Sequence, residues 1–237
     1  MFLPQLRRFA QISFSLQRRG FYPKGGGKVD LEIKPEFSLA DFDTFQAFWQ
    51  HLQQQLLQQQ LVINLVNRGK LLLVKGVSAA SSDLQRANVA ERQAKAARHL
   101  LQEKLGCDVD IATEYSESLS AGSVITVWAI FAAEGKEEVS EANPIMLGSS
   151  SLGERGKMAE AVGQEAAQLL IREVQSNAAV DRHLADQLIP LMALAGNSAI
   201  KASELTNHLL TNIYVVEQFL GKCFEADYEQ RLVKTVF

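Results

Sequence analysis

Three consecutive glycines, Gly25–Gly27, stand between two segments of strand-like sequence near the start of the chain. Ile12–Gln17 precedes them, and Val29–Ile33 follows with the apolar-polar alternation of a half-buried strand. Glycine takes positive φ angles without strain and lets a ligand or another segment approach the backbone closely. A phosphate-binding glycine loop is normally followed by a helix N-terminus, whereas a strand follows here. The sequence therefore predicts a β-hairpin with a glycine bulge, and a ligand contact by this loop stays an open alternative.

The rest of the chain alternates helical and strand-like patterns, as is typical of an α/β or α+β unit. Helices are predicted at Asp41–Gln60, Val89–Leu105, Met158–Gln175, Arg182–Leu194 and Thr206–Leu220. Strands are predicted at Leu61–Val66 and Leu71–Val77, as a pair, and at Asp108–Tyr115, Ser123–Ala132 and Gln230–Val236. Gly148–Lys157 is predicted to be a flexible connector. Phe2–Phe14 is interpreted as the end of a helix that runs into a strand, without an N-cap residue before it.

Composition excludes several classes of protein. The 237 residues suffice for one large or two small domains, and 22% charged with 47% apolar residues argue against disorder. A net charge of -3 gives no global positive field, so nucleic acid would need a local basic patch. Cys107 and Cys223 are the only cysteines, which excludes a disulfide framework or a cysteine zinc site. Neither a signal peptide nor a membrane-spanning run is visible, so we expect a soluble cytoplasmic protein.

His208 is the histidine that most suggests chemistry, because it falls in the first turn of the predicted last helix. Backbone N–H groups there are unpaired and the helix dipole is positive, which favours a neutral imidazole and bound phosphate oxygens. The alternative is a histidine at a helix start that packs against a sheet. His51 and His99 lie in exposed helical patterns and are interpreted as solvated or packing residues.

His183, Asp186 and Gln187 open the preceding predicted helix. Acidic and amide side chains in a first turn fit the helix dipole and can be purely structural. In a functional interpretation, the His183 ring offers a flat surface for a nucleobase, and the side chains of Asp186 and Gln187 offer hydrogen bonds. No serine–histidine–acid triad and no histidine–carboxylate pair with metal-ligand spacing can be placed, so metal ligands stay unknown.

Four sequence blocks, in order, resemble those of the RNA 3'-terminal phosphate cyclase family. Arg19–Val29 has the pattern of a basic residue, glycine, two variable residues, proline, one variable residue and three glycines. Leu152–Glu160 is similar to the segment before the family's long helix. His183–Gly196 resembles its adenylate-contacting helix, and His208–Leu220 resembles the segment that bears its nucleophilic histidine. On these blocks the chain is identified as a member of that family.

The resemblance implies a fold and a domain organisation. The family's large domain is built from repeated β/α units and surrounds a smaller inserted α/β domain. By position, residues 1–37 and 178–237 would belong to the large domain, and residues 38–177 would form the insert, with a glutamine-rich helix as an additional element. Family members carry further N-terminal units, so we expect a partial large domain with an exposed sheet edge or apolar face.

The resemblance also implies an ATP-dependent reaction. His208 would attack the α-phosphate of ATP, releasing pyrophosphate and leaving AMP on the imidazole. AMP would pass to an RNA 3'-phosphate, and the neighbouring 2'-hydroxyl would displace it to give a 2',3'-cyclic phosphate. The resemblance assigns the adenylate contacts to His183, Leu184, Ala185, Asp186 and Gln187. A divalent ion, Mg or Mn, would neutralise the triphosphate.

Three alternatives for the function stay open. The first is an active or split cyclase whose N-terminal part is supplied by a separate polypeptide or lies outside the given sequence. The incomplete large domain would favour pairing with a separate fragment, self-association or instability. The second is a non-catalytic cyclase-like protein of ribosome assembly, and the presence of His208 counts against it because that branch lacks the nucleophile. The third is a fragment without activity.

Overall fold

The computed structural model describes residues 1–236, whose strands form three sheets connected by helices. The helices are α1 Phe2–Leu6, α2 Phe45–Gln58, α3 Val89–Leu105, α4 Ala159–Gln175, α5 Arg182–Ala195 and α6 Asn207–Leu220. The strands are β1 Ala10–Arg18, β2 Lys28–Pro35, β3 Asn64–Leu65, β4 Leu71–Ser81, β5 Asp108–Ser116, β6 Ser123–Phe131, β7 Ile145–Leu152, β8 Ala199–Lys201, β9 Phe224–Asp227 and β10 Leu232–Thr235. This mixed α/β architecture confirms the predicted fold class.

Strands β1 and β2 form a two-stranded antiparallel sheet, and the glycine run lies in the loop between them, as predicted. Residues directly opposite each other in an antiparallel pair project to the same face. The register pairs apolar residues with apolar residues and polar residues with polar ones along the whole hairpin. The apolar side chains of one face are Ile12, Phe14, Leu16, Val29, Leu31 and Ile33. We call this surface the hairpin face, and most of it is exposed to solvent.

The central sheet has the strand order β5-β4-β6-β7, with β4 parallel to β5 and antiparallel to β6. Its β6 strand alternates strictly between buried and half-buried residues, so one face packs against α3 and α4. The two helices approach each other closely, since a Cβ atom on Gly163 would lie 2.2 Å from the carbonyl oxygen of Gln93. Small residues on the buried side of α3, Ala90, Ala94 and Ala97, permit the same approach.

The third sheet, β3-β8-β10-β9, assembles strands that are remote in sequence. Strand β3 pairs with β8 in parallel, and β10 pairs with both β8 and β9 in antiparallel fashion. Helices α5 and α6 pack against each other beside this sheet, and one buried cluster joins residues of both helices to those of the central and third sheets. A separate small cluster lies under α2, around Leu52, Leu56 and Ala195.

Two predictions about this part of the chain are wrong. The predicted connector Gly148–Lys157 is a strand as far as Leu152. Its backbone pairs with the apolar strand β6 in antiparallel fashion, although its sequence is rich in serine. The predicted strand pair Leu61–Val66 and Leu71–Val77 does not form, since β3 and β4 belong to different sheets. Strands β8 and β9 were not predicted. The domain boundaries stay a prediction, and their last residue, Phe237, lies outside the described residues.

Candidate active site

Helix α5 is fixed at its N-terminus by Asp181, which is not among the predicted site residues. Asp181 Oδ1 accepts hydrogen bonds from the backbone N–H groups of His183 (3.0 Å) and Leu184 (2.8 Å), and Oδ2 accepts one from Gly148 N–H of strand β7 (3.0 Å). The carboxylate is buried, so it both caps the helix and ties it to the central sheet. An aspartate directly before a helical pattern is a cap signal that could have identified it.

A cleft of about 450 Å³ opens beside this cap. It is lined by Met1, Phe2, Thr126, Gly148, Ser149, Ser150, Asp181, His183, Leu184 and Gln187. Burial lowers the pKa of the Met1 amino group, and the Asp181 carboxylate opposes that shift. The cleft thus combines an imidazole and an amide from α5 with the hydroxyl-rich end of β7, a suitable lining for a polar ligand with a flat ring.

The five residues predicted to contact an adenylate have different environments in α5. His183 and Gln187 are exposed and Asp186 is half-buried, whereas Leu184 and Ala185 are buried in the hydrophobic core. The helical period explains the division, because residues three and four apart share a face. Three of the five therefore present surface to a ligand, and the other two position the helix by packing.

His208 occupies the first turn of α6, as predicted, and its side chain is exposed. Thr206 caps the helix by accepting a hydrogen bond from the Leu209 N–H at 3.2 Å. Leu209 is fully buried and anchors this first turn in the core. The first turn is therefore held on one side by packing, while the imidazole faces outward.

Helix α6 is joined to α5 at Asp186. The Asn212 side-chain amide donates a hydrogen bond to the Asp186 carbonyl oxygen at 2.9 Å. His208 lies four residues before Asn212, on the same face of α6. The fold thus places the helix that carries His208 against the helix that carries His183 and Gln187. His208 itself does not line the cleft described above.

The glycine loop of the hairpin is held by contacts within the protein. Arg18 Nε donates to the Gly26 carbonyl oxygen at 2.7 Å, and a Cβ atom on Gly20 would lie 2.3 Å from the backbone nitrogen of Gly27. Gly122, in the turn after β5, touches the Phe21 ring so closely that its own Cβ would lie 2.4 Å from that ring. Gly25 and Gly26 have positive φ angles of 64° and 78°, and Gly27 packs closely against Gly20, which agrees with the hairpin interpretation of the sequence.

A second cavity, of about 470 Å³, was not predicted and lies between the starts of α3 and α4. Gly153 and Arg155, from the segment before α4, form part of its wall, together with buried Gln93. Arg92 also borders it and is held by a bidentate ion pair with Glu160, at 2.7 and 2.8 Å. The Leu152–Glu160 block was the signal that could have drawn attention to this cavity.

No group of three or more His, Cys, Asp or Glu residues within residues 1–236 is arranged to hold a metal ion. No residue is therefore assigned as a ligand of the divalent ion that the resemblance implies. In the same part of the chain, no helix has the length and apolar character needed to cross a membrane.

Comparison with known proteins decides the family. The family model for RNA 3'-terminal phosphate cyclase matches residues 1–226. The chain belongs to this family. It is 42% identical over 219 residues to the RNA 3'-terminal phosphate cyclase of Thermococcus onnurineus, covering 92% of the chain and 54% of that protein. It is 39% identical over 232 residues to the Thermococcus kodakarensis protein of the same name, covering 95% of the chain and 57% of the relative.

A third relative extends the agreement to another genus. The RNA 3'-terminal phosphate cyclase of Pyrococcus abyssi is 42% identical over 212 residues, which is 90% of this chain and 52% of that protein. The chain thus spans about half the length of the curated cyclases it matches.

Proposed function

We propose that this chain carries the nucleotide-transfer machinery of an RNA 3'-terminal phosphate cyclase, with His208 as the nucleophile. An imidazole nitrogen of His208 attacks the α-phosphorus of ATP, the bond to the β-phosphate oxygen breaks, and pyrophosphate leaves. The AMP group then passes from the imidazole to the terminal phosphate of an RNA 3' end. The adjacent 2'-hydroxyl attacks that phosphate and expels AMP, which leaves a 2',3'-cyclic phosphate.

The observation that carries this proposal is the position of His208 on α6. The side chain is exposed at the first turn of a helix, where free backbone N–H groups attract phosphate oxygens. Its helix is fixed by buried Leu209 and by the Asn212 hydrogen bond to Asp186. A nucleophile needs this combination of an accessible side chain and a rigid backbone, because misplacement by one ångström is costly in rate.

The residues of α5 are proposed to bind the adenylate. The exposed His183 ring would lie against the adenine, and Gln187, also exposed, would donate or accept hydrogen bonds in the cleft beside the Asp181 cap. Asp186 would contact the nucleotide from the turn of α5 that touches α6. Replacement of Asp186 by alanine is then expected to weaken ATP binding more than it lowers thermal stability.

The substrate class we propose is an RNA with a 3'-phosphate end. The curated relatives are about twice as long as the region that this chain matches. We therefore propose that full cyclisation uses additional polypeptide with the family sequence outside that region, or self-association of this chain. Adenylylation of His208 requires fewer groups than cyclisation, so it is the step to test first.

The test is intact-mass measurement of the chain after incubation with ATP and either Mg²⁺ or Mn²⁺. The expected result is a mass increase equal to one AMP that is absent in His208→Ala. His99→Ala is the matched control, since His99 is an exposed histidine of another helix, and it should retain the increase. Adenylylation that persists in His208→Ala would refute the assignment of the nucleophile.

A further inference from the structure

The cavity between the starts of α3 and α4 is a concave site that the proposed nucleotide transfer does not use. Its volume of about 470 Å³ lies within the range of roughly 300–1,000 Å³ that is usual for small-molecule sites. Its wall is formed by residues between Leu84 and Val162, and it shares none of them with the cleft beside α5. We call it the α3–α4 cavity. Because it is separate from the predicted adenylate helix, it is available for another part of a substrate.

A chain of buried hydrogen bonds ends at this cavity with an unused donor. The Ser78 hydroxyl donates to Gln93 Oε1 at 2.9 Å, and Gln93 Nε2 donates to Ser123 Oγ at 2.8 Å. All three side chains are buried, and Gln93 and Ser123 belong to the cavity wall. Within residues 1–236, the Ser123 hydroxyl accepts this bond and donates to no acceptor. A buried donor without a partner is costly, so the site favours a ligand atom with a lone pair beside Ser123.

The space next to this hydroxyl group is kept open by a glycine. A Cβ atom on Gly153 would lie 2.1 Å from Ser123 Oγ, far inside van der Waals contact. Other parts of the wall are apolar, including Leu84 and Val89, and the Met158 side chain keeps 67% of its surface exposed. A flat heterocycle fits both kinds of lining, because its faces pack on apolar side chains while its edge accepts a hydrogen bond.

Basic side chains form the outer part of the same wall. Among the wall residues that the structure describes, Arg92, Arg155 and Lys157 are basic and Glu154 is acidic. Ion pairs with carboxylates of α4 hold Arg92 and Lys157 in place. Arg155 is exposed and forms no ion pair in the described part of the chain, so its guanidinium is available to a phosphate. On a chain with a net charge of -3, this is the kind of local basic patch that nucleic acid requires.

Strand β7 connects the α3–α4 cavity to the cleft beside α5. Ser150 lines the cleft, and Gly153, three residues later and directly after the strand, lines the cavity. An extended backbone covers about 10 Å in three residues. That length corresponds to roughly three stacked nucleotides at about 3.4 Å each. A nucleic-acid strand whose end lies at the proposed adenylate cleft therefore reaches the cavity with a nucleotide a few positions before that end.

We propose that the α3–α4 cavity binds one nucleotide of the RNA strand, a few positions before the reacting 3' end. The base packs on the apolar wall and accepts the hydrogen bond from Ser123, and the phosphate lies beside Arg155. This inference rests on the proposed function, which makes an RNA with a 3'-phosphate the substrate. A splayed-out base in a pocket and a neutralised phosphate are common features of single-stranded RNA recognition.

The test is RNA binding measured by fluorescence anisotropy without ATP. The probe is an RNA of about eight nucleotides, a usual size for single-strand sites, with a 5' fluorophore and a 3'-phosphate. Ala121 is an exposed residue of the wall, so Ala121→Trp fills the cavity without removing a polar contact, and it should weaken binding about tenfold or more. Arg155→Ala should weaken binding about fivefold. It should also reduce the slope of log affinity against log salt by about 0.7, the value for one phosphate contact.

Matched controls introduce the same changes elsewhere. Ala112→Trp places the indole on an exposed residue of the edge strand β5, and Arg172→Ala removes an exposed arginine from the last turn of α4, at the end away from the cavity. Both should bind the RNA within about twofold of the unmodified chain, and Arg172→Ala should keep the salt slope. Circular dichroism verifies folding. Since Arg155 is exposed, Arg155→Ala gives the answer even where the indole at position 121 disturbs the fold.

Two further ligands separate recognition of the strand from recognition of its end or of a free nucleotide. The same RNA with a 3'-hydroxyl should show the same fold-change in Ala121→Trp, because the cavity does not contact the terminal phosphate. Calorimetry with AMP tests the free nucleotide: a loss of AMP affinity in Ala121→Trp as large as the loss of RNA affinity would make the cavity a mononucleotide site and overturn the proposal. No RNA binding by the unmodified chain, or binding that the test variants change no more than the controls do, would also overturn it.

This inference and the proposed nucleophile can fail separately, because RNA binding is measured without ATP and adenylylation is measured without RNA. RNA binding that depends on the cavity in a chain that is not adenylylated would leave the RNA site standing and refute the proposed transfer. Adenylylation of the unmodified chain together with RNA binding that does not depend on the cavity would refute the RNA site and leave His208 as the nucleophile.

Discussion

Replacement of Asp181 by alanine should destabilise the protein more than the loss of an ordinary helix cap. The carboxylate accepts two hydrogen bonds at the start of α5 and a third from Gly148 in strand β7. Alanine removes all three acceptors, and the Asp181 position is buried, so water cannot replace them freely. The variant therefore tests whether one side chain joins the predicted adenylate helix to the central sheet.

The expected loss of stability is the sum of the costs of losing the helix cap and the hydrogen bond from Gly148. Loss of an N-cap costs about 1 kcal/mol, within a range of roughly 0.5–2 kcal/mol. A backbone donor left without a partner in a buried site, here Gly148 N–H, costs about 1–3 kcal/mol more. We expect Asp181→Ala to lower the free energy of unfolding by about 2–4 kcal/mol. Asp181→Asn keeps one side-chain carbonyl oxygen. Its free energy of unfolding should therefore lie between those of Asp181→Ala and the unmodified chain.

Urea denaturation followed by both circular dichroism and Trp fluorescence measures this loss, and coincident transitions justify a two-state analysis. Thr206→Ala is the control, because Thr206 caps α6 with one hydrogen bond to the Leu209 N–H and accepts none from a neighbouring strand. Thr206→Ala should lower the free energy of unfolding by only about 1 kcal/mol. If Asp181→Ala proves no more destabilising than Thr206→Ala, the bond to Gly148 does not contribute as argued.

Two further substitutions and two measurements on Cys223 test other contacts. Arg8→Lys should lower the free energy of unfolding by about 3 kcal/mol in urea titrations, because a single ammonium cannot reach the carbonyl and amide oxygens that the buried guanidinium joins. Gly122→Ala should cost about 1–3 kcal/mol by thermal denaturation, since the new Cβ would lie 2.4 Å from Phe21, and an unchanged midpoint would contradict this packing. Burial raises the pKa of the Cys223 thiol from 9.0 to about 11, so its contribution to stability is present below pH 9 and lost as the pH rises towards 11. Native Cys223 should also react with a disulfide reagent at pH 8 far more slowly than the unfolded chain does, and equal rates would refute its burial.

Local signals predicted the helices well. Glycines end three of them as predicted, at Gly106, Gly196 and Gly221, each with a positive φ angle. Thr206 caps α6 as a residue just before the predicted apolar pattern, and His208 falls in the first turn for that reason. These features depend on a few adjacent residues, which is why periodicity and capping rules suffice to place them.

Features that depend on distant segments were not predictable in the same way. The sequence predicts a connector at Gly148–Lys157 because Ser149–Ser151 has little strand propensity. Pairing with strand β6 makes this segment part of strand β7. The cleft beside α5 joins Thr126, Gly148 and His183, which no local pattern relates. The family resemblance supplied the proposed roles of His183 and His208, whereas the contact between their helices through Asn212 and Asp186 required the structure.

The small cluster beneath the glutamine-rich helix α2 has a consequence for the order in which the protein opens. Leu52 and Leu56 pack on Ala195 apart from the main buried cluster, which joins the central and third sheets. Cooperative units exchange their amide hydrogens together, and a unit with few buried contacts opens at a lower free energy. Amides of α2 are thus expected to exchange earlier than those of α3 and α4, so this helix can detach while the rest of the chain remains folded.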